Sequence, residues 1–123
     1  FYVPQSREIE LREADILKVP ELELMATSPE AGVFAVKSKD NRRFFLTGHG
    51  EYDADTLANE YWRDKNKGLD IDLPEHYFPN DDPTQPPVVN WRSAGQLIYN
   101  NWLNYYVYQT TPYDLNKLGE TEK

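Results

Sequence analysis

The order of apolar and polar residues in the first half of the chain predicts a small antiparallel sheet. Leucines alternate with glutamates over residues 21–24, and this period of two indicates a half-buried strand. The apolar runs 33–36 and 44–46 flank the turn-forming segment 38–41, which predicts a β-hairpin. Residues 8–18 follow neither the strand nor the helix period, so we expect a strand there followed by a short turn or helix.

A helix is predicted directly after the hairpin, followed by a long loop. Asp53 can act as its N-cap, the pattern continues through Asp64, and Gly68 provides the stop. The next segment, residues 69–90, contains five prolines, which can continue neither a helix nor a central strand. This segment is therefore predicted to be a loop.

The strongest helix pattern begins at Asn90 or Ser93 and runs to about Tyr108. Its apolar residues cover more than one face, which indicates a helix that is either buried or forms a surface for a partner. The polar segment after Pro112 is expected to be loosely ordered.

Composition excludes several classes of protein. A chain of 123 residues with 39% hydrophobic content is long enough for one stable domain. No apolar run approaches the roughly 20 residues that cross a bilayer, so no membrane partner is expected. Cytoplasm is taken as the default location. The formal charge of −8 and the lack of a basic stripe argue against nucleic acid. The absence of cysteine excludes disulfides and thiolate metal sites.

The sharpest candidate for chemistry is the pair His49 and Glu51, which lies between the predicted hairpin and the helix after it. In an extended segment, residues two apart point to the same side, so the carboxylate can bind one imidazole nitrogen and leave the other free. Such a pair is the base and orienting acid of a catalytic triad. Gly48 and Gly50 can adopt positive φ angles and allow close backbone approach.

The same pair also has ordinary explanations. A histidine beside an acid and glycines is common in turns, and pairing His49 with His76 as metal ligands has no supporting spacing, so no metal is expected. Glu60 and Arg63 share a helix face and could form a solvated ion pair. The chain contains neither a cysteine nor a Gly-x-Ser-x-Gly elbow, so a nucleophile for His49 must lie elsewhere if the triad exists.

Longer runs around the motif resemble the homoserine O-succinyltransferase and homoserine O-acetyltransferase family. The resemblance covers nearly the whole chain and rests on the runs TGHGEYDADTL (47–57), EYWRD (60–64), YFPNDDP (77–83), WRS (91–93), NWLNYYVYQ (101–109) and TPYDL (111–115).

This resemblance implies an α/β fold, namely the C-terminal portion of a class I glutamine amidotransferase-like, flavodoxin-like domain. Residues 1–123 would form part of a single acyltransferase domain whose cysteine lies in a part preceding Phe1. The implied reaction is ping-pong transfer of a succinyl or acetyl group from acyl-CoA to homoserine in methionine biosynthesis. It requires no cofactor besides the acyl-CoA co-substrate. A homodimer is also expected, and the chain alone should be inactive.

The resemblance also assigns roles to individual residues. His49 matches the family's general base and Glu51 the acid that orients it. Arg63 matches an arginine that binds the carboxylate of the amino acid, and Ser6 matches a serine that lines the substrate pocket. Glu60 lies near the same pocket.

The chain departs from the family pattern at three positions. The family usually has proline at Gly50, histidine at Gln5 and histidine at Ala94. The acceptor could therefore be serine rather than homoserine, as in cysteine biosynthesis. A glutaminase-type amidotransferase and a non-catalytic interaction domain that keeps the fold remain alternatives.

Overall fold

Three of the four predicted strands form one antiparallel sheet in the computed structural model of the chain, which describes residues 1–111 and 114–117. The half-buried strand and the hairpin after it are both confirmed. The sheet has the order β1–β2–β3, where the strands are β1 (Leu22–Ser28), β2 (Gly32–Ser38) and β3 (Phe44–Leu46).

One short helix precedes the sheet and the other helices follow it, so the described part of the chain is mixed α/β. They are α1 (Glu13–Ile16), α2 (Thr56–Asn66), α3 (Arg92–Trp102), a π-helical continuation (Leu103–Val107) and α4 (Tyr108–Thr110), with 3-10 turns at Pro79–Asp81 and Leu115–Lys117. The finer assignment to an amidotransferase-like fold stays a prediction.

The central strand β2 carries the first of two hydrophobic clusters. All of its residues from Val33 to Ser38 are buried, whereas β1 alternates between half-buried and exposed residues. Val33 and Val36 pack with Ile16 of α1, so this short helix closes one side of the sheet. Burial of these apolar side chains is the main force that holds the hairpin in place.

A second cluster connects α2 to the proline-rich loop and the start of α3. It consists of Leu57, Tyr77, Phe78 and Trp91, all less than 9% exposed. The predicted loop at 69–90 is confirmed, and it contributes two of these four aromatic and aliphatic side chains to the core.

Two predictions about local structure were wrong, one about a strand and one about a helix N-cap. The segment before α1 contains no strand, and regular structure in residues 8–18 is limited to α1. Asp53 is not the N-cap of α2, because the helix begins at Thr56 and the Thr56 N–H group donates to the Asp53 carbonyl in a preceding turn (3.2 Å). Gly68, with φ of 77°, does end the helical segment as predicted.

The long aromatic helix is present but is not buried. Its exposed fractions reach 59% at Leu97, 62% at Tyr105 and 70% at Tyr108. Burial was therefore the wrong interpretation, and a partner surface stays a prediction. The expectation for the tail falls mainly on residues 118–123, which lie outside the described part.

Candidate functional site

The residues that connect β3 to α2, 47–55, form a loop that we call the motif loop. At its start, the N–H group of Thr47 donates a hydrogen bond to the Phe34 carbonyl (2.9 Å), which extends the pairing with β2. The N–H group of His49 donates to the carbonyl of Pro4 (2.8 Å), so the first residues of the chain run beside the loop. The backbone at His49 is thus held on one side by an ordered segment.

Buried aromatic residues hold the other side of the motif loop. The indole Nε1 of Trp91 donates to the carbonyl of Tyr52 (3.1 Å). The hydroxyl of Tyr77 donates to the carbonyl of Ala54 and accepts from the N–H group of Ala58 (3.2 Å). The second hydrophobic cluster therefore fixes the loop through hydrogen bonds, which a purely apolar core could not do.

Close contact, and not a positive φ angle, explains the glycines of the motif. Neither Gly48 nor Gly50 has a positive φ, so that part of the prediction was wrong. A Cβ atom at Gly50 would lie 3.1 Å from Cα of Gly95 in α3, and one at Gly95 would lie 2.8 Å from the Gly50 oxygen. Helix α3 can approach the motif loop this closely only because both residues lack side chains.

His49 and Glu51 are in direct contact. Nδ1 of His49 lies 2.8 Å from Oε1 of Glu51. The loop reaches this geometry through a turn, in which the Tyr52 N–H group donates to the His49 carbonyl (3.3 Å), and not through the extended segment we expected. The catalytic role of the pair stays a prediction.

The contact leaves His49 with one basic nitrogen. An ionised carboxylate can only accept, so the neutral imidazole carries its proton on Nδ1 and presents Nε2 as the basic atom. Partial burial tends to raise the pKa of Glu51, but the hydrogen bond from His49 and a backbone hydrogen bond lower the pKa overall. Glu51 is therefore ionised at neutral pH and can stabilise an imidazolium.

Tyr52 joins this pair to α2. Its ring stacks on His49 with centroids 4.3 Å apart and planes inclined by 15°. Its hydroxyl donates to Oε1 of Glu60 (3.0 Å), and Oε2 of Glu60 is buried without a hydrogen-bond partner in the described part of the chain. Burial and the Glu60 carboxylate raise the pKa of Tyr52, whereas the nearby hydroxyl of Ser6 lowers it.

Arg63 lies one turn further along α2 and is mostly exposed. Its guanidinium binds Asp64 through two hydrogen bonds of 2.7 and 2.5 Å, so the expected pair with Glu60 is replaced by one with Asp64. These hydrogen bonds raise the pKa of Arg63, and the charge of Glu60 adds to the effect. The structure therefore brings His49, Glu51 and Ser6 around Tyr52, with Arg63 at the edge.

A family model described as homoserine O-succinyltransferase matches residues 1–113. The chain belongs to the homoserine O-succinyltransferase family. The family predicted from the sequence runs is thereby confirmed.

Three relatives illustrate the similarity, and each is named homoserine O-acetyltransferase. The one from Brevibacillus brevis is 57% identical over 116 residues, covering 94% of this chain and 38% of the relative. The one from Acetivibrio thermocellus is 57% identical over 118 residues, covering 96% and 39%. The one from Methanomethylophilus alvi is 53% identical over 120 residues, covering 98% and 39%. The chain thus spans less than two fifths of the length of these curated relatives.

The resemblance implies departures from the family pattern at three positions, of which two lie in or against the motif loop. Gly50 contacts Gly95, the residue after Ala94, and the side-chain amide of Gln5 lies against Gly48. The Oε1 atom of Gln5 is buried without a hydrogen-bond partner in residues 1–111 and 114–117. Gly50 therefore lies in the loop that carries His49 and Gln5 lies against it, while Ala94 is next in sequence to a residue that contacts it.

Two site features were not predicted from the sequence. Tyr52 was not recognised as a link between His49 and Glu60, although its place directly after the His-x-Glu pair was visible. Trp91 was not recognised as an anchor of the motif loop, because it lies 39 positions away from Tyr52 and no local pattern signals such a bond.

The described residues contain no group of three or more histidine, aspartate or glutamate side chains placed to hold a metal ion. Within the same residues, every helix is too short or too polar to cross a membrane.

Replacing Gly95 by alanine is expected to destabilise the chain. Alanine normally stabilises a helix interior by about 1 kcal/mol relative to glycine, so helix propensity alone predicts the opposite sign. The new Cβ would lie 2.8 Å from the Gly50 oxygen, and such overpacking costs about 1–3 kcal/mol. Urea unfolding measures the difference, with exposed Ser93→Ala on the same helix as the control. A more stable Gly95→Ala variant would contradict the close contact.

The Asp64 carboxyl is expected to titrate near pH 2. The hydrogen bond from Arg63 lowers its pKa from the ordinary 3.8 to about 2, and Lys67 acts in the same direction. Because the folded pKa is the lower one, the pair stabilises the fold above about pH 4 and this contribution disappears as the pH falls towards 2. An NMR titration of the carboxyl groups should show the Asp64 pKa rising towards 3.8 in Arg63→Ala and rising less in Lys67→Ala. An Asp64 pKa of 3.8 in the unaltered chain would argue against the pair.

Proposed function

We propose that this chain supplies the general base and the acceptor-binding residues of a homoserine O-acetyltransferase, with acetyl-CoA as the acyl donor. The observation that carries the proposal is the 2.8 Å contact between Nδ1 of His49 and Oε1 of Glu51 on a well-anchored loop. The names of the relatives support the acetyl donor and the homoserine acceptor. We propose methionine biosynthesis in the cytoplasm as the setting, with no cofactor besides the co-substrate.

The nucleophile in this proposal is a cysteine from outside these residues, since the chain contains none. Nε2 of His49 takes the thiol proton, and the thiolate attacks the carbonyl carbon of acetyl-CoA. The carbon–sulfur bond to CoA breaks, CoA leaves as a thiol with the proton from His49, and the acetyl group remains on the cysteine as a thioester.

The same base then serves the second half of the reaction. His49 removes the proton from the homoserine hydroxyl as its oxygen attacks the thioester carbonyl. The ester forms, the cysteine sulfur leaves, and His49 returns the proton to it. Glu51 stabilises the imidazolium formed in each half because its lowered pKa keeps it ionised.

The acceptor is proposed to bind between Glu60 and Arg63. Oε2 of Glu60 is a buried carboxylate oxygen without a hydrogen-bond partner in the described part of the chain, which suits an α-ammonium group. The guanidinium of Arg63 offers two parallel N–H donors for the α-carboxylate of the acceptor. That carboxylate must first displace the Asp64 carboxylate from the guanidinium. Opposite charges one helical turn apart match the two charges of an amino acid, and Ser6 completes the lining.

The fold and the assembly are proposed with the function. An amidotransferase-like, flavodoxin-like domain would place the cysteine near His49. The exposed aromatic side chains of the helix from Arg92 onwards could cover a second copy in a homodimer. The same surface favours the second candidate, a non-catalytic interaction domain that keeps the fold.

A chimaera tests the proposal. In it, this chain replaces the matched 116-residue segment of the Brevibacillus brevis relative, and we refer to it below as the chimaera. Acetyl-CoA and succinyl-CoA are tested as acyl donors, and homoserine and serine as acyl acceptors. Glutamine is tested separately as a substrate for hydrolysis. The proposal predicts O-acetylhomoserine as the main product. Transfer mainly to serine, hydrolysis of glutamine, or no turnover by a folded chimaera would each contradict it.

A further inference from the structure

Tyr52 contacts both His49 and Glu60. Its ring lies parallel to the imidazole, and its hydroxyl reaches the carboxylate on α2. Its backbone is fixed at both ends, since its N–H group donates to His49 and its carbonyl accepts from Trp91. A residue restrained at four points cannot turn without disturbing its neighbours.

We propose that Tyr52 is a positioning residue that aligns the base and the acceptor site with each other. Its ring sets the plane of the His49 imidazole. Its hydroxyl donates a hydrogen bond to Oε1 of Glu60, so that Oε2 remains available to accept from the ammonium group of the acceptor. This inference rests on the proposed function, because the acceptor is taken to be an amino acid.

The ring has a task that Glu51 alone does not perform. One hydrogen bond to Nδ1 fixes the direction of the imidazole edge but allows the ring to tilt about that bond. A parallel aromatic ring 4.3 Å away restricts the tilt through face-to-face contact. Nε2 is thereby held in one direction, which a base must maintain through both half-reactions.

The hydroxyl has a separate task at Glu60. A carboxylate with neither oxygen bonded would rotate between orientations, whereas a 3.0 Å bond to Oε1 selects one. Burial and Glu60 itself keep the hydroxyl protonated by raising its pKa, and Glu51 adds to this effect while Ser6 opposes it. A neutral donor therefore faces Glu60 at any ordinary assay pH.

Two substitutions separate these tasks in the chimaera. Tyr52→Phe keeps the ring and loses the hydroxyl, so we expect the KM for homoserine to rise about tenfold while kcat and the KM for acetyl-CoA change less than about twofold. Tyr52→Leu also loses the stack, and kcat should fall about tenfold in addition. Tyr108→Phe, which removes the hydroxyl of an exposed tyrosine, is the control and should behave as the unaltered chimaera.

Proton NMR of the 123-residue chain provides a test that needs no activity. The chain has two histidines, so His76→Gln assigns the signals of His49. The ring current of Tyr52 should shift these signals upfield in the unaltered chain and in Tyr52→Phe, and the shift should disappear in Tyr52→Leu. Unshifted His49 signals in the unaltered chain would overturn the stacking role.

The outcomes distinguish the inference from the proposed function. An active chimaera in which Tyr52→Phe leaves the KM for homoserine unchanged overturns the role of the hydroxyl and leaves the proposed function intact. A folded chimaera without transferase activity overturns the proposed function and the acceptor role of Tyr52 together. The NMR shifts then decide the stacking role by themselves.

Discussion

Replacing His49 by alanine is expected to reduce acetyl transfer by the chimaera at least about a thousandfold. General acid–base catalysis contributes about 10²–10⁴-fold to rates, and in the proposed mechanism His49 is the base of both half-reactions. The backbone N–H group that donates to Pro4 remains, so the fold should survive. The measurement is kcat/KM with acetyl-CoA and homoserine, together with the circular dichroism spectrum.

His76→Ala is the matched control for this substitution. His76 is the other histidine of the chain, is exposed, and lies in the proline-rich loop rather than the motif loop. It should retain activity close to that of the unaltered chimaera. Activity of the His49→Ala variant within a few-fold of the unaltered chimaera would remove His49 from the mechanism.

Trp91→Ala is expected to have the largest effect on stability, at about 3–5 kcal/mol. Trp91 is only 2% exposed, packs on Tyr77 and donates to the carbonyl of Tyr52, so the substitution creates a cavity and leaves a motif-loop carbonyl without its donor. Such a loss is a large part of the stability of a small domain. Urea unfolding followed by circular dichroism measures it without relying on tryptophan fluorescence.

Two further variants isolate the cause. Trp91→Phe fills most of the volume, so it should destabilise the chain less than Trp91→Ala does. It lacks the indole N–H group that binds the Tyr52 carbonyl, so the NMR signals of the motif loop should still shift. Trp62→Ala removes a tryptophan that is 41% exposed on α2 and should cost less than about 1 kcal/mol. Equal losses in Trp62→Ala and Trp91→Ala would mean that Trp91 is not the anchor of the loop.

The strands could be predicted because their signals are local. Alternation over residues 21–24 reflects a strand with one buried face, and the alternation of burial along β1 matches it. The boundaries of α2 were less predictable, since Asp53 has the chemistry of an N-cap but accepts through its carbonyl in a turn. The burial of α3 could not be predicted, because an apolar helix has the same sequence pattern whether it is covered or exposed.

The contact between His49 and Glu51 was predictable from the sequence, whereas the geometry that brings them together was not. The spacing of two residues suggested that His49 and Glu51 could meet. They do meet, but through a turn rather than an extended segment. The partner of Arg63 was mistaken, because helix spacing favours Glu60 while the adjacent Asp64 competes directly for the guanidinium. Contacts such as Trp91 with Tyr52 depend on tertiary packing, which leaves no local trace in the sequence.

The most direct test of the central claim follows the acetyl group by intact-protein mass spectrometry. The chimaera is mixed with acetyl-CoA alone, and homoserine is then added. We predict that the protein first gains the mass of one acetyl group, and that homoserine removes it rapidly as O-acetylhomoserine in the unaltered chimaera. An acetyl group that never forms, or that is lost equally fast without homoserine, would contradict the claim that this chain provides the base and the acceptor site of a homoserine acetyltransferase.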